Sequence, residues 1–141
     1  MTRVEFFFNV EDKLQKLADL SEKAVAKNVR IMVLTADDAS STRAQQFLWQ
    51  LPLQFLPNHR LDDALAAQSP IVVGWQTDKL IHDDVLINLQ HPQSTIFSRF
   101  RRLIEIVGMD EADKAQARER YKFYRDRGYE IKSYDARGKA I

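Results

Sequence analysis

The sequence contains no cysteine. That excludes a disulfide framework and any thiolate metal site, and it suits a reducing compartment. Glycine is scarce, with only Gly74, Gly108, Gly128 and Gly138, and no two are close together. A phosphate loop needs clustered glycines so that backbone N–H groups can approach the anion, so this class of nucleotide chemistry is excluded. No apolar run approaches the roughly 20 residues needed to span a bilayer, and no signal-peptide pattern opens the chain. Charge of one sign is missing too: 21 Lys and Arg against 20 Asp and Glu leave a net charge of +1. Any attraction to nucleic acid must therefore come from local patches. The expectation is a soluble, cytoplasmic protein, with no membrane contact.

What is present reads as one α/β domain. The 141 residues are 45% hydrophobic, enough for a proper core. Arg3–Phe8 is an aromatic, β-branched strand, and Asn9 is placed to cap a helix running to about Ala26. Val29–Thr35 is a second strand with an apolar centre, buried on both faces. Asp37, Asp38 and Ser40 offer caps for the next helix, whose inward face is Ala44, Phe47, Leu48 and Leu51. Prolines then break the chain into an extended piece (Leu53–Leu56) and a short helix around Leu61–Ala67. Further strands are predicted at Ile71–Trp75, Asp84–Leu89 and Leu103–Val107, with a helix at Gln93–Phe100. This alternation predicts a mostly parallel sheet with flanking helices, a mononucleotide-binding-like (Rossmann-like) fold without a phosphate loop. Residues 1–128 form the domain. Residues 129–141 follow as an extension that alternates weakly and is expected to be mobile.

Catalytic constellations are poorly represented. Asp37 with Asp38, and Asp83 with Asp84, are carboxylate pairs at strand ends that could hold Mg²⁺ for phosphoryl transfer. Capping and turn closure explain the same residues with less. His59, His82 and His91 lack the i, i+3 or i, i+4 spacing of metal ligands. Ser40–Ser41–Thr42 has no glycines around it to form a nucleophile elbow. The expectation is a protein without intrinsic catalysis, metal or cofactor.

The most distinctive stretch is Asp110–Gly128. Asp110 and Asp113 suit a helix N-terminus and Gly128 a left-handed stop. Lys114, Arg118, Lys122 and Arg125 fall at i, i+4, i+8 and i+11, which stacks them on one helix face, with Tyr121 at the border. A purely solvated face normally mixes signs, whereas this stripe has one. Cations beside an aromatic wall suit an acidic peptide or phosphates. Direct single-stranded nucleic-acid binding, with Arg99, Arg101 and Arg102 extending the stripe, is the alternative. Trp49 and Phe55 stand apart from the predicted core and are candidates for a protein interface.

The run Ala117-Arg118-Glu119-Arg120-Tyr121-Lys122, continued by Phe123-Tyr124-Arg125, resembles the C-terminal helix of the chi subunit of bacterial DNA polymerase III holoenzyme. Length and element order agree over nearly the whole chain. The stretch Arg60–Ser69 departs from the family in being more acidic and less glycine-rich. The resemblance implies a non-catalytic clamp-loader accessory in DNA replication. It implies that Arg118, Tyr121 and Lys122, with Lys114 beside them, hold the acidic C-terminal tail of the single-stranded-DNA-binding protein. Nucleic acid would be met only indirectly. It further implies a second surface for the psi subunit, for which Trp49 and Phe55 are the candidates, and which in some chi proteins also contacts a repair helicase.

Overall fold

The computed structural model describes residues 1–50, 56–76, 81–90 and 94–141. Among these, seven strands form one sheet: β1 (Arg3–Val10), β2 (Ile31–Leu34), β3 (Asn58–Arg60), β4 (Ile71–Gly74), β5 (Val85–Asn88), β6 (Arg102–Gly108) and β7 (Ile131–Tyr134). Their order is β3-β4-β2-β5-β6-β1-β7, and every neighbouring pair is parallel. Among the described residues three α-helices make crossovers: α1 (Lys13–Ala26), α2 (Asp38–Trp49) and α3 (Glu111–Asp126).

The apolar runs fall as a two-sided sheet requires, because successive side chains point to opposite faces. Phe7, Ile31, Val33, Ile87 and Ile104 pack under α1 and α2. Phe6, Met32, Leu34, Leu86 and Leu103 pack on the other face with Ala117 and Tyr124 of α3. A sheet covered on both sides in this way is the α/β architecture expected.

Several local expectations are corrected. Asn9 does not cap α1. It sits at φ +59° inside β1, where the register with β6 shifts, and Asp12 takes the cap by accepting from the N–H groups of Leu14 and Gln15. Asp12 thus places a carboxylate where a phosphate loop would hold phosphate. Asp37 caps α2 through Ser40 N–H at 2.8 Å, as anticipated. The proposed helices at 61–67 and 93–100 reduce to single 3-10 turns, Ala66–Gln68 and Phe97–Arg99. β3 was not anticipated; it is short and polar, and among the described residues it pairs with β4 alone. Past α3, Ile131–Tyr134 pairs in parallel with β1, and Tyr134 bridges to Ala140, so residues 129–141 contribute a strand to the sheet. Leu51, Phe55, His91 and most of Leu53–Leu56 lie outside the described residues.

Candidate functional site

The site is built on α3, and its position is fixed from beneath. The inward residues of this helix are Asp113, Ala117, Arg120 and Tyr124, at the i, i+4, i+7, i+11 spacing of one face. Two of the four carry charge, so apolar burial alone cannot hold the helix down. Glu105 on β6, fully buried, supplies the counterpart. Its carboxylate accepts from Tyr124 Oη at 2.6 Å, Arg120 Nε at 3.0 Å and Asn88 Nδ2 at 3.1 Å. Burial pushes the Glu105 carboxyl up, against the pull of Arg120 and then of the Tyr124 and Asn88 donors. Tyr124 is raised in turn, by burial first and then by the neighbouring negative charge. Arg120 therefore does not belong to the exposed cationic face. It is 3% exposed and neutralises a core acid.

Both ends of α3 are anchored. Asp110 occupies the cap position but makes no side-chain cap bond. Asp113 reaches back instead, accepting from Gly108 N–H at 2.6 Å and pairing with Lys13 Nζ at 2.7 Å. A Cβ on Gly108 would lie 3.1 Å from that carboxylate, which makes glycine the fitting residue there. Gly128 adopts φ +82°, and the N–H groups of Gly128 and Tyr129 close onto the carbonyls of Arg125 and Tyr124. These two bonds form the Schellman motif.

Held this way, α3 turns Arg118, Lys122 and Arg125 outward. Together with Phe8, Glu119 and Tyr121 they line a groove of about 330 Å³. One wall is aromatic: Tyr121 meets Phe6 at 5.3 Å between ring centroids, and Phe6 stacks on Phe8 at 5.5 Å. The other is cationic, three positive groups against the single carboxylate of Glu119. Among the described residues neither Arg118 nor Lys122 makes an ion pair, and Arg125 reaches only its neighbour Asp126, at 3.3 Å. Lys114 lies outside the lining and stands 4.0 Å from Glu111.

Of the residues singled out from sequence, Arg118, Tyr121 and Lys122 come together at this groove, and Lys114 lies a turn away. Phe8 is the participant that sequence reasoning missed. Its signal was strand alternation, which places Phe6 and Phe8 on the face that α3 covers. Arg102 does not extend the stripe: its guanidinium is bidentate to Glu5, at 2.8 and 2.9 Å, on the α1 side of the sheet. Trp49 ends α2 with 44% of its surface exposed, and Trp75, after β4, is also exposed. Phe55 lies outside the described residues.

Three of the four carboxylates considered for metal binding are otherwise engaged. Asp37 caps α2, Asp38 pairs with Arg60, and Asp84 accepts from Arg30 N–H at 3.0 Å. Among the described residues no group of three His, Cys, Asp or Glu side chains gathers to hold a metal, and no helix is long and apolar enough to cross a membrane.

Comparison with known proteins supplies the deciding observation. The family described as "DNA polymerase III chi subunit, HolC" matches residues 1–132. The chain belongs to the chi-subunit family. A Pseudomonas aeruginosa relative, named DNA polymerase III subunit chi, is 28% identical over 139 residues, covering 95% of this chain and 96% of its own length. The Haemophilus influenzae protein of the same name is 32% identical over 104 residues, 72% of each chain. That of Escherichia coli is 24% identical over 119 residues, 83% of this chain and 81% of its own. The family match ends within β7, so it takes in both groove-forming elements, β1 and α3.

Proposed function

We propose that the chain is a non-catalytic accessory subunit of a cytoplasmic DNA polymerase III, bridging the clamp-loader complex to single-stranded-DNA-binding protein during replication. The α3 groove holds the acidic C-terminal tail of that protein. The observation that carries this reading is the groove itself, in which an aromatic wall of Phe8 and Tyr121 faces Arg118, Lys122 and Arg125. A terminal phenylalanine presents a ring and a carboxylate on one residue. The ring fits against the aromatic wall, and Arg118 chelates the carboxylate through two parallel N–H bonds. Lys122 and Arg125 meet the preceding aspartates, with Lys114 continuing the field beyond the groove.

Burial of one phenyl ring contributes about 1.5–3 kcal/mol and each charge-assisted hydrogen bond about the same. Ordering a flexible peptide costs several kcal/mol in return, so the net corresponds to roughly micromolar affinity. Such a contact works when the subunit is tethered elsewhere. We assign that tether to the surface around Trp49, where the psi subunit docks, with Phe55 as its second candidate. A repair helicase competing for the same surface fits this assignment.

The test compares bare single-stranded DNA with the same DNA coated by its binding protein, in sedimentation experiments. Association only with the coated DNA, lost when the tail is removed, is the expected result. Equal association with bare DNA, falling steeply with salt, contradicts the proposal and favours direct phosphate contact.

A further inference from the structure

A second cationic groove lies on the opposite face of the sheet. Because all strands are parallel, their first residues share one edge, and that edge collects positive charge. Lys23 and Lys27 end α1, Arg30 precedes β2, and Arg101 and Arg102 open β6. Cations near a helix C-terminus complement its dipole, which accounts for the two lysines. The three arginines sit at strand starts, where no dipole asks for them. Arg102 and Arg3 also share the single carboxylate of Glu5, so this corner keeps an excess positive charge.

Three depressions along this edge, all bordered by Val29, make up the groove. One is a cavity of about 140 Å³ beneath the last turns of α1. Its floor is core, formed by Ile31, Val85, Ile87 and Ile104, and its mouth is framed by Lys23, Lys27 and Arg102. Depressions of about 370 Å³ beside Arg30 and about 360 Å³ beside Arg101 flank it. Among the described residues one acid, Asp84, lines the groove, and its Oδ2 is already held by Arg30 N–H.

The lining determines which polyanion fits. Among the described residues no aromatic side chain borders any of the three depressions, so nucleobases have nothing to stack on. An apolar cavity of this size accommodates a small hydrocarbon group. We propose that this groove docks an extended acidic segment of a protein partner, which seats one aliphatic side chain in the cavity while its carboxylates meet Lys23, Lys27, Arg30 and Arg101. This site lies across the sheet from the α3 groove and does not rest on the tail-binding proposal.

The experiment is a titration of the ¹⁵N-labelled full chain with a capped Asp-Asp-Leu-Asp-Asp peptide, followed by NMR. The same peptide with glycine for leucine, and oligothymidylate, serve as the other probes. Amide shifts centred on Lys27, Asn28, Val29 and Val85 are expected. Lys23→Glu with Lys27→Glu, both exposed positions, is expected to weaken the leucine peptide about ten-fold. Ala24→Leu, which fills the cavity mouth, should weaken it about five-fold, a methylene-scale effect. Arg118→Ala should leave it unchanged. Absent shifts, shifts confined to α3, or equal binding of the glycine peptide would overturn the proposal. So would displacement by oligothymidylate that Ala24→Leu does not affect, which would mark the groove as a phosphate track.

Discussion

Arg120 meets the carboxylate of Glu105 at 3.0 Å beneath α3, and neither side chain is open to solvent. Two residues earlier, Arg118 projects into the groove. The same residue type on one helix thus occupies two separable positions, one buried and holding the helix and one exposed in the groove.

That separation predicts opposite behaviour for two variants. Arg120→Met leaves Glu105 buried without its counter-charge and should cost about 3–5 kcal/mol in urea unfolding. Arg118→Ala removes only an exposed side chain, and its unfolding free energy should stay within about 0.5 kcal/mol of the parent.

The start of α3 should be sensitive to acid. Burial pushes the Asp113 carboxyl up, but the Lys13 ammonium and the Gly108 N–H outweigh it, so Asp113 lies below the ordinary aspartate value of 3.8. A lowered value in the folded state gives stability that is complete above the ordinary value and is lost as pH falls through the folded one. Asp113→Asn should therefore flatten the acid limb of a melting-temperature profile, and an unaltered limb would refute the assignment.

The end of α3 depends on a left-handed residue. Gly128→Ala forces a Cβ into φ +82° and should cost about 1 kcal/mol, read by thermal unfolding.

The aromatic wall should be separable from the charges. Phe8→Leu keeps most of the apolar bulk but removes the ring, and should weaken tail-peptide binding about three- to ten-fold. The salt dependence of binding should not change, because no charge is lost. A changed salt slope would show that Phe8 acts by shifting the cations instead.

Much of this was legible in the chain. The runs at β1, β2, β4, β5 and β6 are apolar because both faces of the sheet are covered, and Gly128 marked the end of α3. β3 was hidden because Asn58–Arg60 is polar and lies at the sheet edge, and β7 because none of its residues is fully buried and Lys132 is exposed. Ile96, Phe97 and Phe100 suggested a helix, yet a single 3-10 turn suffices to bury Phe97 and Phe100. Within the site, the stripe Arg118, Lys122, Arg125 followed from helical spacing. The burial of Arg120 did not, because it depends on an acid fifteen residues away on β6. Phe8 joined the groove through tertiary packing across β1 and α3, which helix periodicity does not report.

We propose that α3 docks another protein's acidic, aromatic-ended tail. Calorimetric titration of a tail peptide ending in phenylalanine tests it most directly, with the wild-type chain beside Arg118→Ala. Binding to the wild type should be roughly micromolar and binding to the variant at least about ten-fold weaker, the loss of one charge-assisted pair. Equal heats and affinities for the two chains would contradict it.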